Sequence, residues 1–191
     1  MSDDGTKHDK NSGHGYDGMT DAILLEKVKK GWNHRETPCG FGSLKVNTVL
    51  VRENLLKIAD KYEIKSVSDI GAGDLNWILL TEWNINYKGY DLYPRHKDVI
   101  QFDATKEVLA KTDMILCRHV LNHLSIQFSE RCLSNFKKSG SKYLCITNFD
   151  RQQDYWNQYG LKMKDYGYTL IDTYQEVGKW RNELYILNDQ S

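Results

Sequence analysis

Three acids and two glycines stand where apolar runs of this chain end. Asp69-Ile70-Gly71-Ala72-Gly73-Asp74 follows the run 67–70 and precedes a segment carrying Trp77, Ile78 and Leu80. Glycines are needed where a backbone turns sharply and must let another group approach with no Cβ in the way. About eighteen residues on, Asp91 closes YKGYD. A carboxylate there is placed to accept hydrogen bonds from both hydroxyls of a ribose lying across strand ends. G-x-G alone is a weak signal, but strand, glycine turn, helix, strand and terminal acid together point to a ligand containing adenosine. A dinucleotide site would continue to a third glycine, letting the helix pack on the strand with its N-terminus facing a pyrophosphate. Asn76 holds that position, and Asp74 at the helix start would repel a diphosphate. An acid beside the turn suits a ligand with a cationic amino group and no phosphate, and S-adenosylmethionine (SAM) meets that description.

The second set of reactive residues is Cys117-Arg118-His119 and His123, after the apolar run 114–117. His119 and His123, four apart, would share a face if the segment is helical. Neutral imidazole titrates near working pH and suits removal of a proton from a hydroxyl. For His123, flanked by Leu121 and Leu124, a buried histidine bonded to backbone is the competing reading. A metal pair is rejected: Val120 and Leu121 follow where a zinc protease has its Glu, and no third ligand stands nearby.

The elements that must position these residues alternate. Apolar positions from Val46 to Tyr62 recur at spacings of three and four, predicting a helix over 45–62. Strands are expected at 67–70, 87–91, 99–102, 114–117 and 143–147. A helix carries Phe128, Cys132, Leu133 and Phe136, with Ser125 as N-cap and Gly140 past its end. Two further strands, 168–173 and 183–187, read as an antiparallel pair turning near Gly178. Alternation of strands and helices calls for an α/β sheet with parallel strands at its centre. Only about seven residues lie between Asp91 and Val99, fewer than a parallel crossover needs, so that connection must lack an ordinary helix. Residues 1–18 are polar, with almost nothing to bury, and are expected to be a disordered tail ahead of one domain over 19–191.

Composition narrows the partners. Lys plus Arg, 26, equals Asp plus Glu, 26, which disfavours a protein that holds nucleic acid mainly by counterion release. No run reaches the roughly 18 apolar residues of a membrane span, and no signal peptide pattern opens the chain. Cys39, Cys117, Cys132 and Cys145 form no C-x-x-C pair and read as reduced thiols of a cytoplasmic protein.

Residues 67–149 resemble a class I SAM-dependent methyltransferase domain, DIGAGD matching its glycine-rich first motif. Within it the chain is most similar to small bacterial and phage-type methyltransferases. The features shared with that group are the loop 37–43 (TPCGFGS), the helix after it, the first motif followed by Trp77, and the segments 116–124 and 135–144. The resemblance implies a three-layer Rossmann-like fold: a mostly parallel seven-stranded sheet with an antiparallel last strand and here one shortened crossover. It places Asp69, Gly71, Ala72 and Gly73 around the methionine part of SAM, and Asp91 and Leu92 at the ribose. Asp103 and Ala104 fall beside the adenine amino group, and Cys117 and Arg118 near the sulfonium, with His119 and His123 as candidate bases. Asp69 as a turn cap and Asp103 as the N-cap of a helix over 105–110 are the plainer alternatives. The order of elements also makes the loop 37–43, with Trp32 and Arg35 ahead of it, a lid over the site.

The resemblance stops short of the substrate, since DRQQDYWNQYG after Asn148 departs from the family. Tyr155, Trp156 and Tyr159, with Trp180, would form either an aromatic substrate wall or plain core. The Asp/Asn-Pro-Pro-aromatic signature of nucleic-acid amino-methyltransferases is absent, Cys117-Arg118-His119 standing in its place. The expected activity is methyl transfer from SAM to an oxygen or nitrogen of a small-molecule acceptor, with no metal. The alternatives are a SAM-binding protein with other chemistry or none, and a nucleic-acid-modifying methyltransferase using a patch of Lys137, Lys138, Lys142, Lys162 and Lys164. No residue pattern speaks to oligomeric state.

Overall fold

Strand order, more than helix content, defines this fold. The computed structural model describes residues 21–32, 35–149, 162–176, 178 and 180–188. The expected tail over 1–18 and the aromatic residues Tyr155, Trp156 and Tyr159 lie outside them. α1 (Asp21–Lys30) and α2 (Val49–Lys61) precede β1 (Ser66–Ile70), β2 (Asn86–Asp91), β3 (Val99–Gln101) and β4 (Met114–Cys117). α3 (Ile126–Ser139), β5 (Tyr143–Phe149), β6 (Tyr168–Gln175) and β7 (Trp180–Leu187) follow. The sheet order is β3-β2-β1-β4-β5-β7-β6. The first five strands run parallel, and β7 runs antiparallel to both neighbours. Reversal of order between β1 and β4 opens a crevice at the carboxyl ends of the strands, where such sheets bind ligands.

Both faces of the central strands are covered, which is why β4 reads as an unbroken apolar run. Met114 and Leu116 pack with Val51, Leu55 and Ile58 of α2 on one face. Ile115 and Cys117 pack with Cys132, Leu133 and Phe136 of α3 on the other. Burial of Leu133 and Phe136 contributes about 1.5–3 kcal/mol each. Gly140, in the left-handed region, ends α3 as expected. Ser125 stands at the N-cap in extended backbone, but its hydroxyl makes no cap bond. α2 begins at Val49 rather than Lys45, after a turn in which the Thr48 hydroxyl donates to Leu44 O and Lys45 O. Its buried stripe is Val51, Leu55 and Ile58, while Val46, Val49 and Leu50 face outward.

The connections are thinner than the alternating pattern implies. After the glycine turn the expected helix is one 3-10 turn, Ile78–Leu80. Residues 92–98 contain no helix, as their number requires, and residues 105–110 contain none either. Among the described residues, α3 is the sole α-helix placed between two strands.

Candidate active site

The carboxyl ends of β1 to β4 open into a cavity of about 630 Å³, within the range of small-molecule sites. At its floor the chain turns at Gly71 (φ 82°) and Gly73 (φ 60°), with the N–H groups of Gly71 and Ala72 donating to Tyr90 O of β2. A Cβ on Gly71 would lie 2.3 Å from Val120 Cγ2, and one on Gly73 2.4 Å from Cys39 Sγ. The close approach that demands glycine is thus made by the protein's own loops as well as by any ligand. Asn76, where a dinucleotide motif has its third glycine, donates to Glu36 Oε1 and Ser43 O. It fastens the loop 36–43 over the turn, and loop residues 38–43 line the cavity. Arg35 is exposed and lies outside the lining.

Of the sequence-predicted cofactor residues, Gly71, Gly73, Asp91, Leu92, Asp103, Ala104 and Arg118 line the cavity. Asp91 accepts the N–H of Gly73 at 2.9 Å on Oδ2 and of Tyr93 at 2.8 Å on Oδ1. Each oxygen keeps a second lone pair, and burial raises the carboxyl's pKa. Asp103 Oδ1 accepts the N–H and hydroxyl of Thr105, and Oδ2 pairs with Lys106 at 2.8 Å. Burial opposes ionisation of Asp103, but Lys106 and Thr105 outweigh it and hold the pKa low. Asp103 therefore caps a turn rather than a helix.

Asp69, Ala72 and Cys117 are not part of the lining. Asp69 is buried in the sheet and accepts the Tyr87 hydroxyl at 2.7 Å, and burial pushes its pKa up to about 7 against that bond. Cys117 belongs to the core on the α3 side, where burial pushes its thiol up.

His119 and His123 both line the cavity, although no helix joins them: only Leu121–His123 forms a 3-10 turn. His119 sits in the left-handed region (φ 52°), a conformation that costs a branched or bulky L-residue about 1–2 kcal/mol. Its N–H donates to Thr147 Oγ1 of β5 at 3.0 Å. Its Nε2 lies 3.1 Å from Glu176 Oε1, and its ring stands edge-on to Trp180 at 4.8 Å. Burial, then Arg118, lowers the His119 pKa, and Glu176 opposes them. Because a carboxylate only accepts, neutral His119 carries its proton on Nε2 and leaves Nδ1 as its base. The His123 ring packs against Trp32 at 5.4 Å.

Glu176 is the site residue that sequence reasoning missed. It is 3% exposed, and burial alone would raise its pKa, but Arg118 and then His119 bring it to about 2. Arg118 Nη2 pairs with Glu176 Oε1 and also donates to Gly42 O at 2.8 Å, while the guanidinium lies over Trp77. Nothing near Glu176 in the chain marks it. Pairing of β6 with β7 carries the turn after Gln175 to the end of β4. Arg95 was missed as well: it donates to Val28 O and Lys29 O at the end of α1, and its N–H donates to Gly73 O. α1 thereby brings Leu25 and Val28 to the wall left open by the short crossover.

No family model matches the chain, and no curated protein matches its sequence. Solved structures match its fold. Magnesium protoporphyrin IX methyltransferase from Synechocystis PCC 6803, with SAM bound, aligns over 90% of this chain and 93% of its own at 14% identity, with a TM-score of 0.57. The 1,6-didemethyltoxoflavin-N1-methyltransferase of Burkholderia thailandensis, with S-adenosylhomocysteine bound, aligns over 75% and 80% at 15% identity and a TM-score of 0.58. The methyltransferase domain of bacterial CtHen1 aligns over 74% and 100% at 12% identity and a TM-score of 0.57. The strand order, the glycine turn and these likenesses agree: the chain has the class I SAM-dependent methyltransferase fold.

Proposed function

We propose that this protein transfers a methyl group from SAM to an oxygen or nitrogen of a small-molecule acceptor. The observation that carries the reading is one cavity that both sets of residues line: Gly71, Gly73, Asp91 and Asp103 from the strand ends, and the hydrogen-bonded His119 and Glu176. Asp91 fits an adenosine ligand because two backbone N–H groups fix its carboxylate while each oxygen keeps a lone pair for a ribose hydroxyl. Bound SAM would supply a methyl on a sulfonium that leaves as a neutral thioether, so the protein need stabilise no leaving-group charge.

Most of the rate then comes from holding the acceptor in line with the methyl. His119 accepts the acceptor's proton on Nδ1, and Glu176 holds the imidazole in orientation and offsets the charge it gains. His123, against Trp32, forms part of the wall. Small molecules are the substrates named for the magnesium protoporphyrin and didemethyltoxoflavin enzymes, which supports a small acceptor here. Four free cysteines, three of them buried, support a cytoplasmic setting, and no helix among the described residues is long and apolar enough to cross a membrane.

Calorimetry with SAM and S-adenosylhomocysteine, followed by an untargeted screen for methylated products in host extract, tests this. Binding of both and a methylated product are expected. Absence of binding overturns the cofactor assignment, and binding without any S-adenosylhomocysteine formed from SAM overturns the transferase assignment.

A further inference from the structure

We propose that the acceptor is an uncharged aromatic hydroxyl compound with a second O–H or N–H donor, and that Glu176 selects it through an oxygen that no described residue uses. This rests on the methyltransferase reading above. Glu176 Oε2 is buried and has no hydrogen-bond partner among the described residues, and Asn122 Oδ1, in the same cavity lining, has none either. An unfilled buried acceptor is costly and calls for an explanation. A donor on the ligand supplies one.

The charges around His119 and Glu176 are already matched. Arg118, 7% exposed, is paired with Glu176, and burial favours neutral His119. A phosphate or carboxylate on the acceptor would meet a cation already engaged and a carboxylate beside it, and like charges brought together in an interface repel. An uncharged donor meets neither difficulty.

The walls favour a flat ring. Trp32, Trp180 and the His123 imidazole line the same cavity as His119 and Glu176. The Trp32 and His123 rings tilt by 37° to each other, and Trp180 stands edge-on to His119. Aromatic faces of this kind stack on planar ligands. A phenolic proton, with a pKa of about 10, is also within reach of an imidazole base in a way that an aliphatic alcohol's is not.

The step balances. The phenolic O–H proton passes to His119 Nδ1, an oxygen lone pair forms the new O–C bond, and the C–S bond breaks with its electron pair retained by sulfur as a neutral thioether. The imidazolium then returns its proton to solvent. Gly42, whose carbonyl accepts from Arg118, packs beside the His119 ring.

Three meta-substituted phenols separate the components: resorcinol, its monomethyl ether, and meta-hydroxybenzoate. Each is assayed with SAM for S-adenosylhomocysteine release and titrated into the S-adenosylhomocysteine complex. Resorcinol should be methylated, with kcat/KM falling about tenfold or more for the ether, which lacks the second donor, and further for the benzoate. In Glu176→Gln, which frees the Arg118 charge, resorcinol should lose activity and the preference over the benzoate should narrow. Equal use of resorcinol and the benzoate by the wild-type protein, or failure of all three to bind the complex, overturns the proposal. Failure of S-adenosylhomocysteine itself to bind overturns the methyltransferase reading instead. If Glu176→Gln does not fold, the wild-type ratios decide alone.

Discussion

Replacing Gly71 by Ala combines two separable penalties in one methyl group. The backbone at φ 82° lies in the left-handed region, and the added Cβ would sit 2.3 Å from Val120 Cγ2 but 3.7 Å, ordinary contact, from Val120 Cβ. The left-handed conformation of an L-residue costs about 1–2 kcal/mol, and overpacking of a filled site adds about 1–3 kcal/mol. Gly71→Ala should therefore destabilise by about 2–5 kcal/mol. Val120→Ala deletes both γ-carbons and with them the clash, so in Gly71→Ala/Val120→Ala the overpacking part disappears while the backbone part remains. Urea unfolding followed by tryptophan fluorescence on the four proteins of the cycle should give a favourable coupling of about 1–3 kcal/mol. Affinity for S-adenosylhomocysteine should follow, falling in Gly71→Ala and recovering in part in the double variant, since Gly71 lines the cavity. Strictly additive effects, or a Gly71→Ala protein as stable as the parent, would refute the claim that Val120 and the turn are held in contact.

Asp91→Ala should weaken S-adenosylhomocysteine binding by about 1–3 kcal/mol, read by calorimetry, as hydrogen bonds to a charged group are lost. It should also lower stability, because the N–H groups of Gly73 and Tyr93 lose their acceptor. The rate of methyl transfer should rise with pH through the lowered pKa of His119, below 6.5, and stay level above it. In Glu176→Gln that limb should move to still lower pH, because the carboxylate that favours the imidazolium is gone; an upward move would refute the dyad. Asp172, which accepts from Lys61, Tyr62 and Tyr174, has a pKa lowered to about 2. Its stabilisation is complete above pH 4 and disappears as pH falls through about 2, so the urea midpoints of wild type and Asp172→Asn should differ at pH 7 and converge in acid.

The strands and the crevice at their ends are legible because they rest on local pattern. Apolar runs bounded by turn residues located all seven strands, and the glycine turn with Asp91 located the crevice. The helices were less legible. Val46, Val49 and Leu50 fit the same three-and-four spacing as the buried stripe, and only the packed sheet shows that Val51 faces it. Asp69 and Cys117, expected around the cofactor, lie outside the cavity lining. Asp69 shares a strand face with Val67 and Cys117 one with Ile115, which turns both side chains into the core. Glu176 was illegible for a deeper reason: its partners Arg118 and His119 are 58 and 57 residues away, and an acid in a hairpin turn has no pattern of its own.

The same contrast explains how a sheet with so few crossover helices still encloses a site. Two of the helix-less connections are answered by a segment remote in sequence and held by polar contacts. Arg95 draws α1 over the short crossover by bonding the Val28 and Lys29 carbonyls at its end, where a cation also suits the helix dipole. Asn76 ties the loop 36–43 to the glycine turn, and Arg118 links that loop to Glu176 across the cavity. Such contacts are individually modest, about 0.5–3 kcal/mol, so the walls should open at far lower free energy than the sheet unfolds. Substrate-enclosing segments need that property. A chain that anchors its floor by burial and its walls by single hydrogen bonds can admit two ligands in turn without disturbing the strand ends that align them.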